Sequence, residues 1–181
     1  LYVHQPVGDF VGAWKDMEKA VKMGKVRTLG ISNFDYNDEM WNTIMDSATI
    51  KPAVLQIECH PYAQRLEMRE KADKAGIQVE CWFPLGGAMS DGALFKDPVI
   101  KKIAEAHGKT PAQVILRWHI HEGFSVIPGA SNPDYIKENI QIFDFALTDE
   151  EMRLMRSLNK EKRFFNATLE EVEKMIWSTK L

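Results

Sequence analysis

Short, nearly uniform apolar runs alternate along the chain with longer stretches whose apolar residues recur every three to four positions. The short runs fall at residues 1–4, 26–32, 53–58, 77–83 and 125–128. None shows the strict alternation of a half-solvated strand, so each reads as a parallel strand buried on both faces. Helical periods lie between them. Ala13, Trp14, Met17, Val21 and Met23 share one helical pattern, closed by Gly24. Gly30 permits close backbone approach inside the second strand. Asn33 can start a turn or cap a helix, and Asp35 is a second cap candidate ahead of Met40, Trp41, Ile44 and Met45. Arg65 to Lys74 reads as a charged surface helix closed by Gly76. Asp97-Pro98, Thr110-Pro111 and Asn132-Pro133 are helix starts, and Thr148 to Glu151 is a capping box.

Five strand–helix units imply an α/β fold of the parallel (β/α)8 TIM-barrel type, in incomplete form. A full eight-unit barrel takes about 250 residues, and this chain has 181. The first run opens at Leu1 inside a strand, so the expectation is that three units are missing from the front. The structural alternative is a doubly wound sheet, but no Gly-rich dinucleotide turn follows a strand. The whole chain, 1–181, reads as one domain, with residues 160–181 as a tail carrying a short helix.

The chain is 45% hydrophobic and 27% charged, with a net charge of -3. Such a balance offers no basic face for nucleic acid. No apolar run approaches the roughly 20 residues of a membrane helix, and no signal-peptide pattern opens the chain. Cys59 and Cys81 both sit in apolar runs and read as buried thiols of a reducing, cytoplasmic compartment. His60 adjoins Cys59, too close for the usual zinc ligand pair, so no metal is expected.

In a parallel barrel, chemistry gathers at the carboxyl ends of the strands. The polar residues there are His4, Ser32, Asn33, Gln56, Glu58, Trp82, Ser131 and Asn132. Neutral hydrogen-bonding groups beside one aromatic face suit a planar ligand bearing an amide. Bland readings compete. A single His at a strand end is commonly structural, Ser-Asn is a common turn signal, Gln56 can pair with backbone, and Trp82 can be plain core.

Ordered motifs then narrow the choice. They are Leu1-Tyr2-Val3-His4-Gln5-Pro6, Gly24-Lys25-Val26-Arg27, Gly30-Ile31-Ser32-Asn33-Phe34 and Gln56-Ile57-Glu58-Cys59-His60-Pro61-Tyr62. Pro84-Leu85-Gly86, Gly108 to Gln113, Arg117-Trp118, Ile127-Pro128 and Ile136 to Asn139 follow in order. With these, the chain resembles the aldo/keto reductases over essentially its full length, from about the fourth barrel strand to the eighth. The resemblance implies NAD(P)H-dependent reduction of aldehydes or ketones to alcohols. It makes His4 the histidine that orients the substrate carbonyl. It makes Ser32, Asn33 and Gln56 carboxamide contacts and Trp82 the stacking ring. Phe83, Pro84, Leu85 and Gly86 match the loop beside the pyrophosphate. Gly129, Ala130, Ser131, Tyr135, Glu138 and Asn139 fall in the adenosine region, with Glu138 and Asn139 at the adenine.

Two departures go with the resemblance. The family's tyrosine donor, lysine and aspartate come from strands ahead of this chain's start, so His4 alone should support little or no turnover. At the 2′-phosphate, the lysine position reads Gly129 and the arginine position Tyr135, which cannot grip phosphate bidentately. Lys137 lies nearby and can compensate in part. NADPH is the expected cofactor, with NADH possible. The expected partner is a small carbonyl substrate, with self-association through exposed barrel edges as a further expectation. The alternative class is a non-catalytic half-barrel that binds cofactor or a partner chain.

Overall fold

The computed structural model describes residues 1–178. Each predicted run contains one strand: β1 (Tyr2–Val3), β2 (Gly30–Ser32), β3 (Val54–Glu58), β4 (Gln78–Trp82) and β5 (Ser125–Val126). They form one sheet in chain order, β1-β2-β3-β4-β5. The β1–β2, β2–β3 and β4–β5 pairs are parallel. Sequential order lacks the reversal that marks a doubly wound sheet, and it is the order of a barrel-type sheet. The run at 26–32 proves too long for its strand. Pairing begins only at Gly30, opposite Tyr2, and Lys25, Arg27 and Thr28 are exposed. Gly30 is required by contact: a Cβ there would lie 2.5 Å from Tyr2 Cε1.

The chain divides into two units, one of residues 1–57, 68–79 and the described residues from 165, the other of residues 58–67 and 80–164.

In the first unit, α1 (Phe10–Lys22) starts earlier than its apolar period suggests. Asp9 caps it, accepting from the Gly12 N–H at 2.7 Å. Beyond it, Gly24 is left-handed and the Lys25 N–H reaches Ala20 O at 3.0 Å, closing the helix as predicted. Trp14 is fully buried, and its indole N–H reaches Glu18 Oε1 and Ile50 O, each at 3.1 Å. Glu18 Oε1 also accepts from the N–H groups of Thr49 and Ile50, at 2.7 and 2.9 Å. Burial pushes this carboxyl's pKa up. The backbone donors, Lys15 and the indole outweigh burial and hold it below the usual carboxylate value.

Next comes α2 (Asp38–Ser47). Its cap is Asn37, which accepts from the Met40 N–H at 3.0 Å. Asp35 therefore does not start the helix, and Asn33 serves the turn, with φ at 61°. The charged stretch forms α3 (Leu66–Lys74). The tail forms α9 (Leu169–Ser178), reached after the second unit, and Val172 is its buried residue. Trp177 is 72% exposed. Residues 179–181 of the predicted 160–181 tail lie outside the described residues.

The second unit adds α4 (Ala93–Lys96), α5 (Pro98–His107), α6 (Pro111–His121), α7 (Pro133–Ile140) and α8 (Asp149–Arg156). The predicted caps all form. Asp97 accepts from the Val99 and Ile100 N–H groups at 2.9 and 3.3 Å. Thr110 with Gln113, and Thr148 with Glu151, make reciprocal capping boxes. Asn132 accepts from the Asp134 N–H at 2.9 Å. The core gathers Leu94, Ile100, Ile103, Val114, Ile115, Trp118, Met152 and Met155. Each such fully buried aliphatic side chain contributes roughly 1.5–3 kcal/mol. Residues 88–94 follow the Gly86-Gly87 turn. They hold a 3₁₀ turn at Ala88–Ser90 and the start of α4, both too short to show a helical period.

Candidate functional site

In the first unit, three adjacent strands deliver polar groups at their carboxyl ends. Ser32 stands in register with Gln56. His4 follows Val3, which pairs Ile31. Asn33 turns the chain there, and its N–H donates to Gln56 O at 2.9 Å. Its Nδ2 donates to Ser32 Oγ at 3.1 Å and to His4 O at 3.3 Å. Ser32 and Asn33 are buried, Gln56 is half-buried and His4 is exposed. The four residues predicted here are thus one connected cluster, with its amide preset by hydrogen bonds and its imidazole facing water.

In the second unit, β4 ends at half-buried Trp82, set edge-on to Phe83 at 4.7 Å between ring centroids. Phe83 turns the backbone with φ at 51°, and the Gly86 N–H returns to Phe83 O at 2.9 Å. Buried Gly86 is wound tightly: a Cβ there would meet Ser90 Cβ at 2.7 Å. The Ser90 hydroxyl donates to Gly87 O at 3.0 Å and accepts from the Gly92 N–H at 3.2 Å.

Beside this loop lies a cleft of about 470 Å³, within the range of small-molecule sites. Leu85, Gly87 and Phe95 form one part of its wall. The start of α6 (Thr110, Pro111, Ala112) forms another, and Gly129, Ala130, Tyr135, Glu138 and Asn139 complete it. Six predicted residues therefore share one cavity: Leu85, Gly129, Ala130, Tyr135, Glu138 and Asn139. Trp82, Phe83, Pro84, Gly86 and Ser131 are not on its wall. Gly87, Phe95 and Thr110 to Ala112 are wall residues not singled out as site residues in the sequence. Thr110 to Ala112 lie in the Gly108 to Gln113 motif, and Thr110-Pro111 carries a helix-start signal. That signal matters here, because Thr110 Oγ1 donates to Glu138 Oε1 at 2.5 Å. Gln113 Nε2 donates to the Glu138 and Gln141 carbonyls at 3.4 and 2.9 Å. The cap of α6 thus fixes the end of α7 at the cleft.

Glu58, a strand-end candidate, serves the fold instead. It is fully buried, with His60 Nε2 3.1 Å from Oε1. The Phe164 N–H donates to it at 2.6 Å and Arg163 Nε at 3.1 Å. Burial raises its pKa, while the His60, Phe164 and Arg163 hydrogen bonds outweigh burial and hold it below the ordinary value. His60 stacks on Phe164 with centroids 4.5 Å apart.

Cys59 and Cys81 are buried thiols, as predicted. The imidazole that joins them is His119, not His60. The ligand atoms of Cys59, Cys81 and His119 lie within 4.8 Å of one another. His119 Nδ1 sits 2.8 Å from Ile115 O and Nε2 3.1 Å from Cys59 O, so both ring nitrogens face carbonyls. The ring ties α6 to the chain beyond β3. No helix among the described residues is long and apolar enough to cross a membrane.

Known proteins resemble the chain over most of its length. The sequence profile of the Aldo/keto reductase family matches residues 1–160. Aldo-keto reductase family 1 member A1 of Gallus gallus is 41% identical over 86% of this chain and 49% of its own length. An aldo-keto reductase of Mycolicibacterium smegmatis is 43% identical over 89% of the chain and 58% of its own. The chain thus spans about half the length of the curated relatives it matches. Among solved structures, a mutant of Gox0644 in complex with NADPH superposes with a TM-score of 0.85 at 37% identity, over 93% of this chain and 61% of that one. Bombyx mori aldo-keto reductase in complex with NADP gives 0.80 at 26% identity, over 91% and 58%. The chain belongs to the aldo/keto reductase family.

Proposed function

We propose that this chain is the cofactor-holding part of an NAD(P)H-dependent carbonyl reductase acting on small aldehydes or ketones. The observation that carries this reading is the second unit's cleft, where six residues matched to the family's nucleotide contacts share one wall. The structures solved with NADPH and NADP support it. The residues also fit the group chemically. Tyr135 and Phe95 offer ring faces, and Glu138 and Asn139 offer groups for an adenine edge. In the first unit, the Asn33 amide, Ser32 hydroxyl and Gln56 amide provide the donors and acceptors that a carboxamide takes.

The bound cofactor supplies the hydride. This chain's own part is to hold and orient it, a positioning contribution. His4 places a polar group at the carbonyl oxygen, where charge develops. The family's tyrosine, lysine and aspartate do not come from these 181 residues, so the chain by itself is expected to bind cofactor with little turnover. A fluorescence titration with NADH and NADPH, run beside cofactor oxidation in the presence of a reactive aldehyde, tests this. Saturable binding supports the reading. Absence of binding by either cofactor defeats it.

Self-association belongs to the same proposal, since β1 and β5 end the sheet order and Ile127, just past β5, is 44% exposed. Sedimentation equilibrium should show a mass above 20.7 kDa. A strict monomer rules association out.

A further inference from the structure

Resting on the reading of this cleft as the adenosine site, we propose that it accepts an adenosine with a free 2′-hydroxyl and discriminates against a 2′-phosphate, so that NADH is the preferred cofactor. Among the described residues, none on the cleft wall carries a positive charge, and the one carboxylate is Glu138. A phosphate monoester brings close to two negative charges. Placed near a carboxylate with no cation opposite, it is repelled. A hydroxyl in the same place carries no charge and needs no cation on the wall.

The start of α7 points the same way. A helix N-terminus ordinarily attracts phosphate through its free N–H groups and its dipole. Here Pro133 at the first position has no N–H, and the Asp134 N–H is taken by Asn132 Oδ1 at 2.9 Å. The Asp134 carboxylate adds negative charge in that first turn. Lys137 does not repair the deficit. It is exposed, is absent from the cleft wall, and stands two positions from Tyr135, on a different helix face. Lys109, the cation just before Thr110, is paired with Asp144 at 2.7 Å.

The discrimination rests on two positions that can be changed without disturbing the fold. A Cβ on Gly129 meets no heavy atom within 4 Å, and its φ is not in the left-handed range. Tyr135 is 59% exposed. The test is a fluorescence titration of the 181-residue chain with NADH and with NADPH at low salt, with 5′-AMP and 2′,5′-ADP as competitors. The expected result is a Kd for NADH at least about tenfold below that for NADPH, the scale of one charge-assisted contact. The double variant Gly129→Lys, Tyr135→Arg should reverse that order, with an unchanged melting temperature showing that it folds. NADPH binding as tightly as NADH to the wild-type chain overturns the inference and leaves the nucleotide site standing. Binding of neither overturns both. A folded double variant with an unchanged preference overturns the assignment to these two positions.

Discussion

Arg163 Nε donates to Glu58 Oε2 at 3.1 Å, joining residues 105 positions apart. The other Glu58 oxygen takes the Phe164 N–H at 2.6 Å. Earlier in the same segment, the N–H groups of Lys160 and Lys162 both donate to Tyr62 O at 3.0 Å. The stretch from 160 to 164 is therefore seated on the chain just beyond β3 by four hydrogen bonds, two of them to a buried carboxylate. The Glu58 side chain supplies half of these contacts.

Glu58→Gln should loosen it. Glutamine keeps the shape but removes the negative charge that faces the mostly buried Arg163 side chain. Breaking such a pair from one side costs about 3 kcal/mol, or roughly 6–12 °C in a protein of this size. Calorimetry reads the melting point, and trypsin cleavage after Lys160 and Lys162 should quicken. An unchanged melting point and cleavage rate would show that the carboxylate does not hold the segment.

The same carboxylates set an acid limit. Glu18 and Glu58 have pKa values held below the ordinary carboxylate value in the fold. In the unfolded chain they return to about 4.3. Below that value the unfolded state binds more protons than the native one, so stability falls as pH drops through the lowered folded values. The melting temperature should stay level from neutral pH to about 5 and decline on further acidification. In Glu58→Gln that decline should be shallower. A wild-type melting temperature that holds steady through the acid range would refute the linkage.

At alkaline pH one contributing group is Tyr62. Its hydroxyl donates to Asp97 Oδ2 at 2.7 Å, while Asp97 Oδ1 caps α5. Burial, followed by the hydrogen bond and charge of Asp97, pushes its pKa up to about 12. A raised folded pKa gives stability that is full below the unfolded value near 10 and is lost as pH climbs through the folded one. Ultraviolet titration of the phenols should therefore include a late step near pH about 12. Tyr62→Phe should remove that late step and lower the melting point. A late step that persists in Tyr62→Phe would place it on another tyrosine.

Much of this was legible locally. Asp97, Thr110, Asn132 and Thr148 announced their helices because a cap is made within three residues of itself. The second α2 candidate failed for a local reason too: Asp35 and Asn37 carry similar side chains, and only backbone geometry chose Asn37. The polar cluster of His4, Ser32, Asn33 and Gln56 could be listed from strand ends, but its hydrogen bonds cross strands and are not written in sequence. The cleft shows the deeper limit. Phe95 and Thr110 to Ala112 meet residues from 129 to 139 only through the packing of α6 and α7, and no spacing rule connects them. Nor does any short-range signal tie Glu58 to Arg163.

The thiols give a probe of the strand ends themselves. Cys81 lies within β4, Cys59 follows β3 directly, and both have no exposed surface. Disulfide exchange requires a thiolate that the reagent can reach. Neither thiol should react with an aromatic disulfide reagent in the native chain at the rate of an exposed cysteine. Both should react at once in denaturant. In intermediate denaturant, their rate should track the unfolded fraction measured by circular dichroism. His119 sharpens the test, because its ring bridges Ile115 O and Cys59 O beside both sulfurs. His119→Leu keeps bulk but removes both contacts, leaving the Cys59 carbonyl to find another donor. If the ring closes this region, the variant's thiols should react ahead of global unfolding. Thiols that stay silent until the variant unfolds would mean that the strands, and not the imidazole, keep the reagent out.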